Sequence, residues 1–276
     1  MPTIAVSTYS FGPEAKALEG LDFAVKHGFH GLELGSYTFW PPAIDGSGRR
    51  YMRLQSASRG VDLSIHFIHR GIAPASHDQA RRARHLQELE ATLELARDIG
   101  ARVVVVHPGP IDCPGVEPAG APDDVREEAL ANLADFLRSV VPQAEALGVV
   151  VCMENLHHGP GQVVKSYDEL LNLVQGVASP AVQITLDTGH AHLSDGLKGA
   201  FDTFSPFLRH LHIHDSDGRR DHLEIGQGIV DFGELREVLG SYPFAMALET
   251  RNDDDPEGGV LHDRDSLKQL LGDAVR

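Results

Sequence analysis

The segment that decides the fold opens with RVVVVH at residues 102–107 and closes with VVVCME at residues 149–154. Both runs are short, apolar and rich in valine, which is typical of strands buried on both faces of a parallel sheet. Between them, residues 122–147 repeat leucine, valine and alanine at steps of three and four, a spacing that predicts an amphipathic helix. The segment therefore predicts a strand–helix–strand unit.

Glycine and proline residues in or after the helical patterns predict where the helices end or are interrupted. The helix over residues 122–147 is followed by Gly148, and Pro142 inside it predicts a kink or a break in its last turn. A second helix is predicted from Asp78 to Ile99. After the sixth predicted strand, Gly196 and Gly199 interrupt the helical pattern, so the helix there is the least regular of the set.

Apolar runs of strand length alternate with helical patterns along the whole chain. Eight such units predict closure into one barrel of parallel strands surrounded by helices, rather than an open doubly wound sheet. An open nucleotide-binding sheet would carry a glycine-rich turn after its first strand, and residues 7–10 read STYS instead. The predicted fold class is therefore α/β, with a single (β/α)8 TIM barrel domain over residues 1–276. The strands are predicted at Thr3–Val6, His30–Leu34, Val61–His66, Arg102–His107, Val149–Glu154, Val182–Asp187, Leu208–His214 and Phe244–Glu249.

Composition limits what the protein can bind. The chain of 276 residues carries a formal net charge of −16, which repels nucleic-acid phosphates and anionic lipid headgroups. We therefore expect neither nucleic acid nor a membrane as a partner, and a homo-oligomer is compatible with the sequence. The two cysteines, Cys113 and Cys152, are too far apart for a thiolate metal motif, and no run reaches the ~20 apolar residues of a membrane span. These features predict a cytoplasmic location.

Ionisable side chains recur at the ends of the predicted strands. Because alternate strand residues face the same side, counting back by two from these positions reaches residues such as Gly31, Ser64 and Cys152, which are small enough for a barrel interior. The ionisable side chains are therefore expected to face inward at the carboxyl ends of the strands, where the active sites of such barrels lie. They are Glu33, His66, His107, Glu154, Asp187, His212, His214 and Glu249.

A cluster of this kind favours a metal site. One Glu or His at the end of a strand commonly caps a loop or forms a salt bridge, but here seven strand ends carry such residues. Acids and imidazoles crowded together lose solvation and repel one another unless a cation neutralises them. Imidazole and carboxylate ligands without thiolates are typical of Mn, Zn, Co or Fe(II), so we expect a divalent metal cofactor whose identity the sequence leaves open.

Four short motifs end the later strands: MEN (153–155), LDTGH (186–190), HIHD (212–215) and LE (248–249). Their order and spacing resemble those of the xylose isomerase-like TIM barrels, a superfamily of sugar isomerases and ketose epimerases that also includes endonuclease IV. The resemblance covers essentially the whole chain. It implies a central metal held by Glu154, Asp187, His212 and Glu249.

The endonuclease-like branch of that superfamily implies two additional metals. A second metal would bind His66 and His107, with Glu154 bridging it to the central metal. A third would bind His190 and an Asp-x-His pair after the seventh strand.

The counterpart of that pair is Asp221 and His222, in the run RRDH (219–222). Here the acid lies directly beside the histidine instead of two residues before it. Side chains of adjacent residues are expected to diverge, which leaves the third metal site in question. Asp215 and Asp217 are the alternative sources of its carboxylate.

The resemblance also implies a reaction, namely proton transfer next to the carbonyl of a small sugar or polyol ketone. The metal would polarise the carbonyl and stabilise the enediolate that forms on C–H cleavage. Glu154 and Glu249 would be the catalytic pair, one removing a proton and the other delivering a proton to the opposite face. The expected substrate-binding residues are His190 and Arg219 at the oxygen that becomes negative, and Glu33, His66 and His107 at the far hydroxyls.

Two other classes of function compete with this prediction. A metal-dependent hydrolase or lyase could use the same scaffold, and an abasic-site nuclease like endonuclease IV would use three metals. The acidic net charge argues against a nuclease, because a duplex binder normally presents Lys and Arg to several phosphates. A sugar-binding barrel without turnover is disfavoured by the two carboxylates, Glu154 and Glu249, because binding alone does not need an opposed pair.

Overall fold

Eight parallel strands close into a barrel in chain order, with β8 hydrogen-bonded back to β1. The computed structural model describes residues 2–234, 236–272 and 275, so residues 1, 235, 273, 274 and 276 of the predicted domain lie outside the described residues. The predicted (β/α)8 TIM barrel is confirmed, and each predicted strand is present with its ends shifted by at most one residue. The strands are β1 (Thr3–Ser7), β2 (Gly31–Leu34), β3 (Asp62–His66), β4 (Val103–Val106), β5 (Val150–Glu154), β6 (Val182–Asp187), β7 (Leu208–Ile213) and β8 (Ala245–Leu248).

Helices on the outside of the barrel connect these strands. Two short 3-10 turns, Thr8–Phe11 and Pro118–Gly120, add to them. The α-helices of the described residues are α1 (Ala17–His27), α2 (Trp40–Ala43), α3 (Gly46–Arg59), α4 (Gln79–Ile99), α5 (Asp123–Leu147), α6 (Tyr167–Val177), α7 (Thr188–His192), α8 (Leu197–Phe204), α9 (Arg236–Ser241) and α10 (Pro256–Leu271).

Two predicted helix interruptions can be compared with the structure. Of the two alternatives predicted at Pro142, a kink or a break, the break is wrong, because α5 continues to Leu147. Pro142 is exposed, so the carbonyl of Arg138, which loses its helical partner, faces water that can bind it. The predicted interruption after β6 is confirmed, since α7 and α8 are separate helices and Gly196 lies between them with φ of 93°.

The barrel interior and the outer core are separate. The large aliphatic residues of the strands pack outward against the helices and form the main apolar core. Inside the barrel, Val103, Val105 and Cys152 form a separate, smaller apolar cluster. Gly31 and Ser64 are both buried there, as the period-two pattern predicts. The interior therefore holds small or polar side chains below the ionisable residues of the strand ends.

No helix among the described residues combines the length and the apolar character that a membrane crossing requires.

The close approach of β1 and β2 gives a test of the barrel interior. A Cβ added at Gly31 would lie 2.6 Å from the Cβ of Ala5 on the neighbouring strand. We expect Gly31→Ala to lower the free energy of unfolding by ~1–3 kcal/mol, the usual cost of overpacking, measured by chemical denaturation.

The matched control is Gly176→Ala in α6, where an added Cβ meets no atom within 4 Å. That change should leave stability unchanged or raise it by up to ~1 kcal/mol, because alanine favours a helix interior. Equal effects of the two substitutions would contradict the tight contact between β1 and β2.

Candidate metal centre at the carboxyl ends of the strands

Four side chains from four neighbouring strand ends meet at the centre of the barrel mouth. They are Glu154, Asp187, His212 and Glu249, and each is at most 4% exposed. The Nδ1 atom of His212 lies 3.4 Å from Glu154 Oε1, 3.4 Å from Glu249 Oε2 and 3.9 Å from Asp187 Oδ2. The structure therefore brings the predicted central ligand set together around one ring nitrogen.

The other ring nitrogen of His212, Nε2, contacts Glu33. His212 Nε2 lies 3.3 Å from Glu33 Oε1, and the carboxylate of Glu33 also accepts hydrogen bonds from Ser7, Ser64 and His210. A neutral imidazole that donates from Nε2 has its lone pair on Nδ1. That lone pair then faces the carboxylates, and Nδ1 has no hydrogen-bond partner among the described residues.

A second cluster lies beside the first and shares Glu154 with it. His66 Nε2 and His107 Nε2 lie 3.1 Å and 3.0 Å from the same oxygen, Oε2 of Glu154. The Nδ1 atom of His66 donates to the backbone carbonyl of Phe67 at 2.6 Å, because a carbonyl oxygen can only accept. The remaining nitrogen of His66 therefore points toward the carboxylate, as in the predicted second metal site.

A third cluster contains His190, Asp221 and His222, whose candidate ligand atoms all lie within 4.8 Å of one another. The expectation that the adjacent side chains of Asp221 and His222 diverge is wrong. His222 has φ of 56°, in the left-handed region, and this turns its side chain to the same side as that of Asp221. His190 and His222 donate from Nδ1 to the carbonyls of Asn155 and Glu249, which leaves each Nε2 for the cluster.

The two alternative carboxylates for the third cluster are engaged elsewhere. Asp215 is buried and accepts hydrogen bonds from the backbone N–H groups of Ser216, Gly226, Gly228 and Val230. Asp217 accepts the N–H groups of Arg219 and Arg220 at the surface. Asp215 therefore anchors the loop that carries Asp221 and His222 and is not part of the cluster.

The residues next to the ligand positions fix the strand ends. Asn155 accepts a hydrogen bond from the N–H of Asp187 at 2.8 Å and so ties β5 to β6. Asp187 in turn accepts from the N–H of His190 and contacts His214 Nε2 at 2.7 Å. A Cβ at Gly189 would collide with the ring of His214, so only glycine fits at that position of the LDTGH motif.

Burial and charge shift the pKa values of these groups strongly. Burial raises the pKa of Glu249 to about 7, against the opposing attraction of His212. For Glu154, burial acts in the same direction, but His107 and His212 outweigh it and hold the pKa well below its usual range. Burial opposes protonation of His190, yet the charges of Asp187 and Glu154 raise its pKa to about 10. These buried groups require positive charge among them.

A cavity of about 200 Å³ lies over the three clusters. Its lining combines ionisable residues with Tyr9, Ser36 and Leu156. Tyr9 stacks on Tyr37 with ring centroids 4.9 Å apart. The residues from the predicted site that line the cavity are His66, His107, Glu154, His190, Asp221, His222 and Glu249.

Two predicted substrate-binding residues lie outside this lining. Arg219 is exposed, and Glu33 is fully buried beneath His212. The sequence reasoning also missed His69, which lines the cavity and contacts Ser36 through Nδ1. Burial, together with repulsion from His66 and His107, lowers the pKa of His69 to about 3. His69 lies three residues after His66, in the loop that follows β3, which is the one signal that could have identified it.

The fold and the site now define the class of the protein. A family model described as xylose isomerase-like TIM barrel matches residues 21–270, and the chain belongs to that family. One relative, the uncharacterized protein MJ1311 of Methanocaldococcus jannaschii, is 26% identical in an alignment of 278 positions that covers 96% of this chain and 88% of that protein. A probable endonuclease 4 of Mycoplasma pneumoniae is 23% identical over 65% of each chain.

Solved structures with the same fold include several sugar epimerases. A D-tagatose 3-epimerase-like protein superposes with a TM-score of 0.79 at 23% identity, over 98% of this chain and 97% of that one. D-psicose 3-epimerase from Clostridium cellulolyticum H10 gives 0.81 at 17% identity, over 98% and 99%. An IOLI protein with a bound zinc atom gives 0.78 at 16% identity, over 98% of each chain. At these identities the likeness establishes the fold.

The buried carboxylate of Asp215 gives a test of how the third cluster is held. We expect Asp215→Ala to leave four backbone N–H groups without their acceptor, which costs ~1–3 kcal/mol for each buried group that stays unsatisfied. The amides of Gly226, Gly228 and Val230 should then exchange with deuterium at least roughly tenfold faster in native-state hydrogen exchange.

The matched control is Asp217→Ala, two residues away, whose side chain is 28% exposed and accepts only local N–H groups and the Arg220 side chain. It should leave those three amides protected. The same acceleration in both variants would show that Asp215 does not anchor the loop.

Proposed function

We propose that this protein is a divalent-metal-dependent isomerase or epimerase that acts on a small sugar or polyol ketone. The observation that carries the proposal is the Nδ1 atom of His212, which has no hydrogen-bond partner among the residues that the structure describes and is buried among the carboxylates of Glu154, Asp187 and Glu249. The fold relationship to sugar 3-epimerases supports the choice of substrate class.

The residues of the central cluster fit a divalent cation. A lone pair on His212 Nδ1 that faces carboxylates at 3.4 Å is repelled by them unless a proton or a metal lies between. One imidazole with three carboxylates and no thiolate suits Mn, Zn or Co. We therefore assign the central ligands as Glu154, Asp187, His212 and Glu249.

A bound divalent cation would supply Lewis acidity, which polarises a ketone carbonyl and stabilises the negative charge that forms when the neighbouring C–H bond breaks. The proton is moved by the chain's own carboxylates. Glu154 and Glu249 come from non-adjacent strands, and both line the cavity. A substrate held between them can lose a proton to one carboxylate and receive a proton from the other. Return of the proton to the opposite face of the same carbon inverts the stereocentre, and delivery to the former carbonyl carbon moves the carbonyl group along the chain.

The walls of the cavity suit a small polyhydroxylated molecule. Its volume of about 200 Å³ is below the roughly 300–1,000 Å³ of pockets for drug-sized ligands. His107 and His190 line the cavity, and imidazole nitrogens can bind hydroxyl groups, while Tyr9 adds an aromatic ring to the lining. Arg219 lies at the surface, so binding of the developing oxyanion is assigned to His190 and not to Arg219.

Glu33 acts in this proposal as a positioning residue. It is fully buried and cannot reach a substrate in the cavity, but it contacts the Nε2 atom of His212. A carboxylate on the far nitrogen of a ligating imidazole fixes the tautomer and the orientation of the ring and raises its basicity. Glu33 therefore holds Nδ1 of His212 in the form that can bind a metal.

The second candidate function is metal-dependent phosphodiester hydrolysis, as in an abasic-site nuclease. The second and third clusters favour it, because three metals would need two ligand groups besides the central one. The ligand atoms of His66, His107 and Glu154 lie within 4.8 Å of one another, and so do those of His190, Asp221 and His222. Similarity to a probable endonuclease 4 also favours it. The net charge of −16 opposes it, since a duplex would be repelled.

Metal affinity tests the ligand set and the role of Glu33 together. Removing a group that contacts a metal ligand usually weakens metal binding by ~10–100-fold. We expect a loss of this size for Glu33→Gln, measured by chelator-competition titrations with Zn, Mn and Co. His212→Ala should abolish binding at the central site.

The control for these titrations is Glu127→Gln, which removes one exposed carboxylate from α5 and should leave metal affinity unchanged. Circular dichroism on each variant separates loss of binding from loss of fold. Unchanged affinity in a folded His212→Ala protein would eliminate the central site.

Solvent exchange tests the reaction. The metal-loaded protein, incubated with a panel of ketoses and keto-polyols in D2O, should incorporate deuterium next to the carbonyl, measured by proton NMR. Glu249→Gln and Glu154→Gln should each lower the exchange rate by at least ~100-fold, since general acid–base groups contribute about 10²–10⁴-fold.

An oligonucleotide with a single abasic site provides the second arm of that experiment. The metal content of each variant is measured in parallel, because both glutamates are also proposed ligands. Robust nicking of the oligonucleotide without deuterium incorporation from any ketose would reverse the order of the two candidate functions.

A further inference from the structure

We propose that His69 is a further specificity-determining residue, which binds a hydroxyl group of the substrate through its Nε2 atom while Ser36 holds its Nδ1 atom. This role rests on the proposed isomerase or epimerase function, since the ligand is the substrate of that site. His69 and Ser36 both line the cavity of about 200 Å³ over the three clusters, called here the mouth cavity. They lie in the loops that follow the neighbouring strands β3 and β2.

The residues expected from the sequence at the far hydroxyls of the substrate, Glu33, His66 and His107, leave most of that role unfilled. Glu33 is fully buried beneath His212. Both ring nitrogens of His66 already have partners, and the Nε2 atom of His107 contacts the carboxylate of Glu154. These three residues therefore offer a hydroxyl group at most one free ring nitrogen, Nδ1 of His107. A polyhydroxylated ligand needs a further polar contact in the mouth cavity.

The Nε2 atom of His69 is available for that contact. Within the described part of the chain, no group of candidate metal ligands includes His69, so a metal ion in any of the three clusters would leave its ring free. Its Nε2 atom has no hydrogen bond to a described residue, and it is not one of the fully buried nitrogens without a partner, such as Nδ1 of His212. Because His69 is half-buried and lines the mouth cavity, a ligand there can reach this atom.

Neighbouring rings and a hydroxyl group fix the orientation of the His69 ring. It stacks on His107 with ring centroids 5.5 Å apart and planes inclined by 21°. The rings of Tyr9 and Tyr37 meet it at 68° and 63°, with centroids 6.3 Å and 6.2 Å away. The hydroxyl of Ser36 contacts its Nδ1 atom. A side chain that is already held in this way loses little further rotamer freedom when a ligand binds, so the Nε2 atom is preorganised.

The partner on Nδ1 determines what kind of group suits Nε2. A neutral imidazole has one donor and one acceptor nitrogen, whereas a serine hydroxyl both donates and accepts. When Ser36 donates to Nδ1 of His69, Nε2 is a donor, and when Ser36 accepts from Nδ1, Nε2 is an acceptor. A ligand hydroxyl group matches both tautomers, while a carboxylate oxygen matches only the donor form. The His69–Ser36 contact therefore favours a hydroxyl group at this position of the ligand.

Nitrogen NMR of the histidine rings, recorded on the protein with zinc present, tests this contact. The probes are D-tagatose, D-fructose and L-ribulose, at a pH of about 8 where an imidazole of ordinary pKa, ~6.5, is neutral. We expect at least one of these ketoses to shift the Nε2 resonance of His69, which is assigned by its absence from the spectrum of His69→Phe. The ring signals of His27 and His262, which lie outside the mouth cavity, are the internal control and should not move.

The affinity of a matched ligand separates a hydroxyl contact from a change in cavity shape. 1-Hydroxy-2-hexanone keeps the carbonyl and one neighbouring hydroxyl of a ketohexose but lacks the other hydroxyl groups. We expect His69→Phe to weaken binding of the ketose that shifts His69 by roughly 2–12-fold, as for one hydrogen bond, and to change binding of 1-hydroxy-2-hexanone by less than about twofold. Ser36→Ala should weaken ketose binding by a smaller factor, because Nε2 remains but the ring is no longer held at Nδ1.

The matched control for Ser36→Ala is Ser58→Ala, which removes an exposed hydroxyl from α3 and should leave both affinities unchanged. Ring signals of His69 that none of the three ketoses moves would overturn the assignment. Equal weakening of the ketose and of 1-hydroxy-2-hexanone by His69→Phe would also overturn it. A shift of His69 without deuterium incorporation would sustain the hydroxyl contact and contradict the proposed proton transfer, whereas incorporation with an unmoved His69 would do the reverse.

Discussion

The structure of the barrel mouth depends on imidazole rings that are each fixed at one nitrogen. His66, His190 and His222 donate from Nδ1 to backbone carbonyls, and His212 contacts Glu33 through Nε2. The remaining nitrogen of each ring faces carboxylates or joins a cluster that contains one. Because a lone pair and a carboxylate repel each other in a buried site, the arrangement is stable only with positive charge between them. That charge can come from protonated imidazoles or from a bound metal ion.

The barrel fold brings the residues of this arrangement together. Parallel strands in chain order bring all their carboxyl ends to one face, so ligands far apart in sequence become neighbours. The contact between Ser7 and Glu249, 242 residues apart, closes the ring between the first and last strands. Small residues and glycine at the close approaches, such as Gly189 beneath His214, permit the ligands to converge.

The two ends of the barrel have opposite electrostatic character. Carboxylates and imidazoles line the cavity at the mouth, whereas Arg53, Arg102 and Arg209 are among the residues that line a cavity at the amino-terminal ends of the strands. Glu33 lies between the two ends, because it contacts His212 on one side and His210 on the other. A single buried carboxylate thus contacts one ring of the proposed metal centre, His212, and a second ring outside that centre, His210.

The sequence by itself determined the eight strands, the barrel and the residues at the strand ends. Those features follow from local patterns, since period-two alternation and apolar runs fix which side chain faces inward. Only the tertiary structure decided which nitrogen of each histidine faces which carboxylate, because that choice depends on partners tens to hundreds of residues away. It also decided that Asp221 and His222 converge, through the left-handed backbone of His222, and that Glu33 lies beneath the site instead of in it. Backbone conformations and long-range contacts of this kind produce no periodic pattern in the sequence.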